Sequence, residues 1–349
     1  MAERSRQRAS KPRLRLGVVG GGWPGQRHAE GFRASGAWDI AAVADLDPDR
    51  RAALAHGTGA AMLPTAEDLF AREDLDAVVI ALPTFLHRRM VTAALASGKH
   101  VLCEKPPALN ATETSAMAEA AARHGRVLSF GLQRRAMPSA MAAEAVIGQG
   151  ALGEIYHARA VFTRAWGAPK GHGNWFRDPA TAGGGPLIDI GIHVLDLAWW
   201  LMGRPQPMSV LGVTHDRSPE TSPLESAAFG LLRFEGGRSI QLEAAWILPQ
   251  AADRMCVHLC GTAAGALVEQ DTLTVTRVGP SGIEQIRPPI LGGWPDAFVA
   301  SFRTQASRFA QAIRGTAPAL APADDGVQLM RMIDALYASA CEGREISLA

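Results

Sequence analysis

Cysteine is scarce. The 349 residues hold four, at positions 103, 256, 260 and 341, and their spacing fits no disulfide framework. That excludes a small stapled secreted scaffold and points to a reducing, cytoplasmic compartment. Excess charge of either sign is missing too. With 35 basic and 34 acidic residues the net charge is +1, so no long-range field draws the chain to nucleic acid or to an anionic membrane surface. No apolar run approaches the roughly 18 residues needed to span a bilayer. The basic residues that do cluster, Arg4, Arg6, Arg8, Lys11, Arg13 and Arg15, are followed by a Gly-rich turn and not by an apolar segment of signal-peptide length. Residues 1–13 read as a solvated, flexible basic tail.

Glycine and proline are plentiful, 36 and 22, in a chain that is 47% hydrophobic and 20% charged. This suits a folded chain with many tight turns, and the length suits about two domains. From Leu14 to about Gly131, short apolar runs (RLRLGVV, WDIAAVAD, DAVVIALP, KHVLCEKP, RVLSFG) alternate with amphipathic stretches starting near Pro24, Pro48, Thr84 and Thr112. That alternation predicts a doubly wound parallel sheet over residues 14–135. Residues 136–349 read differently. A helix is expected at Ser139–Ile147, a strand at GEIYHARAVFTRA and a helix at Leu187–Leu201. From Met208 to about Ile286, strand follows strand across short turns, which suits a large, mostly antiparallel sheet. Two helices near Asp296–Arg314 and Asp325–Cys341 close the chain, the last free to pack back on the first domain. A ligand cleft is expected between the two domains.

Chemistry concentrates at two places. In GVVGGGWPGQRH, Gly20, Gly22 and Gly25 form G-x-G-x-x-G between a predicted strand and a predicted helix whose first turn accepts Pro24. Gly20 makes the tight turn, Gly22 admits a pyrophosphate to the backbone, and Gly25 lets helix and strand pack closely, with the helix N-terminus facing the phosphates. Asp45 ends the second strand twenty residues beyond Gly25, placed for adenosine ribose hydroxyls, with Leu46 rather than Arg next to it. NAD is therefore favoured over NADP, with Arg50 and Arg51 near enough to keep NADP open. In DIGIHVLD, Asp189, His193 and Asp196 fall at i, i+4 and i+7, one face of a helix, a carboxylate one turn from an imidazole. Cys256, His258 and Cys260 share a strand face without a fourth ligand nearby, and no metal is expected.

Together GVVGGGWPGQRH, ALPTFLH, CEKP and GGGPLIDIGIHVLDLAWWLMG resemble, in order and spacing over nearly the whole chain, the signature set of the Gfo/Idh/MocA family of glucose-fructose oxidoreductase and inositol dehydrogenase type. The resemblance implies an N-terminal Rossmann domain and a C-terminal α/β domain whose open antiparallel sheet makes a homodimer or homotetramer. It implies a Lys105 beside nicotinamide and substrate, within Glu104-Lys105-Pro106, with a Lys-Pro bond often cis. It maps the catalytic Asp and His onto Asp189 and His193. It lines the cofactor with Trp23, Pro24, Leu82, Thr84, His87 and Glu104, and brings Trp175 and Arg177 toward the nicotinamide end. Arg164, Trp166, His172 and Asn174 then shape the substrate pocket; His28 and Asp196 are structural. The reaction implied is hydride transfer between NAD(P) and a secondary alcohol or carbonyl of a sugar, inositol or related polyol. His193 acts as base and Lys105 as cationic donor, while Asp189 orients the imidazole and raises its basicity. A redox-neutral NAD-dependent glycosidase and a non-catalytic NAD-sensing protein are the alternative readings.

Overall fold

The structure, a computed structural model, describes residues 12–167, 173–221, 223–290, 292–293 and 295–348, and for Asn174 the backbone alone. Its first half follows the expected alternation: β1 (Leu14–Val19), α1 (Trp23–Ser35), β2 (Trp38–Ala44), α2 (Pro48–Ala55), β3 (Ala61–Leu63), α3 (Ala66–Phe70), β4 (Ala77–Ile80), α4 (His87–Ala96), β5 (His100–Cys103), α5 (Ala111–His124) and β6 (Leu128–Phe130). The strands pair in parallel in the order β3-β2-β1-β4-β5-β6. Every residue of β4 is buried, as in a sheet covered by helices on both faces. Strand order reverses between β1 and β4, which opens the crevice where doubly wound sheets bind ligands, at the carboxyl ends of their strands.

Two elements here escape the periodicity. β3 is three half-exposed residues cut off by Pro64, and α3 is a five-residue helix capped by Thr65. The helix expected from Thr84 starts as a 3-10 turn, Thr84–Leu86, and becomes α-helical at His87.

Beyond lie α6 (Pro138–Gly148), β7 (Ile155–Thr163), α7 (Pro179–Ala182), a π-helical turn (Leu187–Gly191) and α8 (Ile192–Leu201). There follow β8 (Pro207–His215), β9 (Ala227–Phe234), β10 (Ser239–Ala245), β11 (Arg254–Gly261), β12 (Gly265–Val268), β13 (Leu273–Gly279), β14 (Gly282–Ile286), α9 (Asp296–Ile313), α10 (Ala323–Glu342) and β15 (Ile346–Ser347). These nine strands form one sheet, β14-β13-β12-β11-β7-β10-β9-β8-β15, antiparallel except where β10 runs parallel to β7. On β8 the buried Val210 and Gly212 alternate with the exposed Leu211 and Val213, so this sheet has one covered and one open face.

The two halves share core. On α9, Phe302, Ala306 and Phe309 pack on α1 and β2: the Trp38 ring stacks on Phe309 at 5.6 Å and its Nε1 donates to Ala306 O at 3.0 Å. A Cβ on Gly31 of α1 would lie 2.6 Å from Phe302 Cβ, so only glycine allows this helix approach. Burying each such ring contributes roughly 1.5–3 kcal/mol. Behind the crevice, Arg135, fully buried, donates to Asp196 of α8 and Asp325 of α10, and Arg204 Nε donates to the same Asp325 at 2.8 Å. A buried guanidinium with two carboxylates is satisfied, and removing one partner typically costs about 3–5 kcal/mol. Asp196 therefore has the structural role expected of it. Among the described residues no helix is long and apolar enough to cross a membrane.

Candidate active site

The loop between β1 and α1 is shaped by what its glycines leave out. Gly20 has φ +97°, and a Cβ there would meet Ala81 O at 2.3 Å; a Cβ on Gly25 would meet Gly20 O at 1.8 Å. Both are required by the protein's own backbone. Gly22 differs: only Pro24 Cδ, at 3.7 Å, lies near its missing side chain. The backbone at the N-terminus of α1 is therefore approachable, and the helix has no side-chain cap there. Open backbone N–H groups at a helix N-terminus suit a pyrophosphate. Asp45 Oδ2 accepts from Gly21 N at 2.6 Å and Oδ1 from Asp47 N at 2.8 Å, so the carboxylate holds the loop while keeping lone pairs for ribose hydroxyls. Pro24 lies in the first turn of α1, and Trp23, 57% exposed, stacks on Phe298 of α9 at 5.9 Å.

At the end of β5 the chain turns through Glu104, Lys105 and Pro106, with the Lys105-Pro106 bond cis as expected. Glu104 faces the interior. Its Oε1 accepts from His28 Nε2 at 2.7 Å and its Oε2 from Lys105 N at 2.9 Å. Burial pushes this carboxyl up, but the His28 hydrogen bond and the Lys105 charge outweigh it and hold it below its ordinary value. His28 is structural, as expected. Glu104 itself, expected to line the cofactor, has its carboxylate engaged within the protein.

The expectation for His87 needs correction. Its ring is fully buried, with Nε2 2.8 Å from Leu82 O and Nδ1 2.9 Å from Pro106 O. It braces the ends of β4 and β5 against each other and offers no surface to a cofactor. Thr84 is buried beside it, while Leu82 is half-buried under Gly20.

Lys105 reaches across to the second half of the chain. Its Nζ donates to Asp189 Oδ1 at 2.8 Å and to Asp189 O at 3.0 Å. The other carboxylate oxygen, Oδ2, accepts from Trp246 Nε1 at 2.9 Å. Burial raises the Asp189 carboxyl, yet the Lys105 ammonium, the indole N–H and the Arg164 charge bring it below its usual value, so an ion pair forms. Asp189 lies in the π turn, whose start is anchored by Glu225: Oε2 accepts from Gly185 N, Oε1 from Leu187 N and from Tyr337 Oη. Neither Trp246 nor Glu225 was singled out from the sequence. Both sit at one end of the β9–β10 pair, where Trp246 N donates to Ser226 O at 3.0 Å.

His193 does not pair with Asp189, contrary to the helical spacing. A neutral imidazole cannot compete with an ammonium and an indole N–H for the two oxygens. Its ring lies 6.4 Å from that of Phe162, and its buried Nδ1 has no hydrogen-bond partner. Burial, then the charges of Lys105, Arg134 and Arg164, hold His193 well below its ordinary pKa. The imidazole is neutral at neutral pH and can accept a proton.

Around this centre Arg164 is half-buried at the exit of β7, and Trp166, 73% exposed, makes no hydrogen bond or ring contact among the described residues. Trp175 packs on Phe85 at 6.5 Å and on Phe176 at 5.2 Å, while Arg177 is exposed. His172 and the Asn174 side chain lie outside the described residues. Gln133, also missed, is 6% exposed with a buried Oε1 that has no partner. Among the described residues no three His, Cys, Asp or Glu side chains are placed to hold a metal ion, Cys256, His258 and Cys260 included.

Residues 14–132 match the oxidoreductase family with an NAD-binding Rossmann fold, and residues 140–266 match the GFO/IDH/MocA C-terminal domain. The chain is 34% identical over 270 residues, 72% of its length and 74% of the relative's, to a putative UDP-kanosamine synthase oxidoreductase subunit of Amycolatopsis mediterranei (strain S699). It is 30% identical, over 96% of its length and 93% of the relative's, to an inositol 2-dehydrogenase of Rubrobacter xylanophilus (strain DSM 9941 / JCM 11954 / NBRC 16129 / PRD-1). In fold it matches a levoglucosan dehydrogenase solved with NADH and levoglucosan, TM-score 0.87 at 23% identity, over 97% of this chain and 100% of that one. With a Gly-rich loop open at the helix N-terminus, a Lys105–Asp189 pair in the crevice and both halves matched, the chain belongs to the GFO/IDH/MocA family of NAD-binding oxidoreductases.

Proposed function

We propose that the protein is an NAD-dependent dehydrogenase or reductase acting on a secondary alcohol or carbonyl of a sugar, inositol or related polyol. The carrying observation is the Lys105–Asp189 pair beside a neutral, buried His193. When bound, NAD supplies the acceptor for hydride from the carbinol carbon. Gly22 and the N-terminal amides of α1 would hold its pyrophosphate, with Trp23 and Pro24 beside them, and Asp45 its adenosine ribose; Leu82, Lys105, Trp175 and Arg177 would flank the nicotinamide half.

An ammonium has three N–H donors, and Asp189 occupies two of those on Lys105. The third polarises the substrate oxygen and stabilises developing alkoxide charge. His193 accepts the hydroxyl proton. Asp189 aims Lys105, which replaces the imidazole-orienting role expected from spacing. Asn174 and His172 complete the substrate side in this reading, with Arg164 and Trp166.

Residues 14–135 serve the nucleotide and residues 136–349 the substrate, with α9 lent to the nucleotide half. The open face of the large sheet, where Leu211 and Leu231 pair in register and are exposed, joins copies of the chain into a homodimer or homotetramer. The protein acts in the cytoplasm. Names among its relatives, an inositol 2-dehydrogenase and a UDP-kanosamine synthase subunit, support a polyol or sugar substrate.

NADH formation across a panel of inositols, aldoses, amino sugars and lactones tests the reading. Accumulating NADH supports it; sugar turnover without net NADH favours the redox-neutral glycosidase. NADH should also bind more tightly than NADPH, and Asp45→Ser should narrow that difference, because the carboxylate that repels a 2′-phosphate is gone.

A further inference from the structure

We infer that the substrate carries a negative charge, a carboxylate or a phosphate, on or beside its polyol, and that Arg164 is the residue that receives it. This rests on the dehydrogenase reading of the same site. The charges acting on His193 come from Lys105 at the end of β5, Arg134 in the turn after β6 and Arg164 at the exit of β7, with Asp189 of the π turn as the carboxylate at Lys105. The single carboxylate among them is taken by Lys105. Arg164 therefore brings a positive charge that no carboxylate among the described residues takes up.

Arg164 is held as a built feature. It directly follows β7, two residues after Phe162, and the Phe162 ring is the one beside His193. Its backbone is pinned on both sides, Arg164 N donating to Ala245 O at 2.9 Å and Arg164 O accepting from Leu248 N at 3.1 Å. The side chain of this half-buried residue has no hydrogen bond or ion pair with any described residue. Asp253, the nearest acid by backbone pairing, accepts from Ala165 N instead. Its planar donors match a carboxylate or phosphate in bidentate fashion.

Arg134 is a second cation acting on His193. It lies between the Phe162 and Phe298 rings, 5.9 and 5.3 Å from their centroids. Burial pushes it down to about 10, which leaves it charged at neutral pH. The sequence bears a third mark. From Arg164 to Arg177 there are three cations, Arg164, Lys170 and Arg177, and no Asp or Glu, in a chain whose acids and bases otherwise balance.

The test titrates the enzyme–NADH complex, by change in NADH fluorescence, with matched probes: glucose against glucuronate for the carboxylate, and glucose against glucose 6-phosphate and UDP-glucose for the phosphate. At least one anionic probe should bind about ten- to a hundredfold more tightly than glucose, the range of a charge-assisted hydrogen bond. That preference should fall with added salt, vanish in Arg164→Gln and survive in part in Arg164→Lys. Glucose binding as tight as every anionic probe, or Arg164→Gln weakening glucose and the anions alike, would overturn the inference. If anionic probes bind as expected but no sugar yields NADH from NAD⁺, the dehydrogenase reading fails while the charge assignment stands.

Discussion

Trp246 Nε1 donates to Asp189 Oδ2 at 2.9 Å, and this bond fixes which carboxylate oxygen remains for Lys105. The indole is 1% exposed and packs on Phe176, with ring centroids 5.7 Å apart, so the donor cannot swing away. Trp246→Phe keeps an aromatic ring but removes the N–H. A hydrogen bond to a charged group contributes about 1.5–3 kcal/mol. We expect kcat/KM for polyol oxidation to fall about ten- to a hundredfold by that measure, while NADH titration gives an unchanged affinity. Loss of NADH binding along with activity would mean that the substitution disturbs the fold rather than Asp189.

The glycine loop offers a contrast within three residues. Gly25→Ala places a methyl 1.8 Å from Gly20 O, and backbone cannot retreat cheaply, so both thermal stability and NADH binding should drop. Gly22→Ala meets only Pro24 Cδ at 3.7 Å, so its melting temperature should stay near the parent's. Its NADH affinity should nonetheless fall, because the methyl occupies the approach to the amides. Unchanged affinity in Gly22→Ala would place the pyrophosphate elsewhere.

Two buried histidines set an acid limit on stability. Burial holds both His87 and His193 below the ordinary value of 6.5 in the folded state. Unfolded chains therefore bind more protons than folded ones once the pH drops below about 6.5, and stability falls progressively from there toward the depressed folded values. Denaturant titrations at descending pH should show that slope, and His193→Asn should make it shallower. An identical slope in the variant would mean that His193 does not contribute.

The sequence read the sheets more easily than the site. β1, β2, β4 and β5 are apolar runs ended by turn residues, and the positive φ of Gly20 belongs to the turn itself, so short-range pattern is enough for them. β3 is too short to carry a pattern, and the π turn at Leu187–Gly191 spells the same letters as an α-helix. Asp189 and His193 stand one helical turn apart in the sequence, but the spacing does not give their partners. The partner of Asp189 is chosen by Lys105, 84 residues away, and by Trp246, 57 residues away. Glu225 and Tyr337, which anchor the π turn, are likewise joined only by tertiary packing. His87 was misplaced for the same reason: whether a helix-start histidine faces a ligand or two carbonyls is decided by the turn at Pro106.

The most direct measurement is the steady-state oxidation of the true polyol substrate by Lys105→Met and His193→Asn, with NADH titrated into each variant in parallel. Both should lose about 10²- to 10⁴-fold in kcat/KM, the range for removing a positioned proton carrier or charge donor, with NADH affinity within a few-fold of the parent's. The parent's rate should already be level near neutral pH, because the base is neutral there, and its rising limb should lie below 6.5. A Lys105→Met variant that oxidises the substrate within a few-fold of the parent would contradict the assignment of this pair as the catalytic centre.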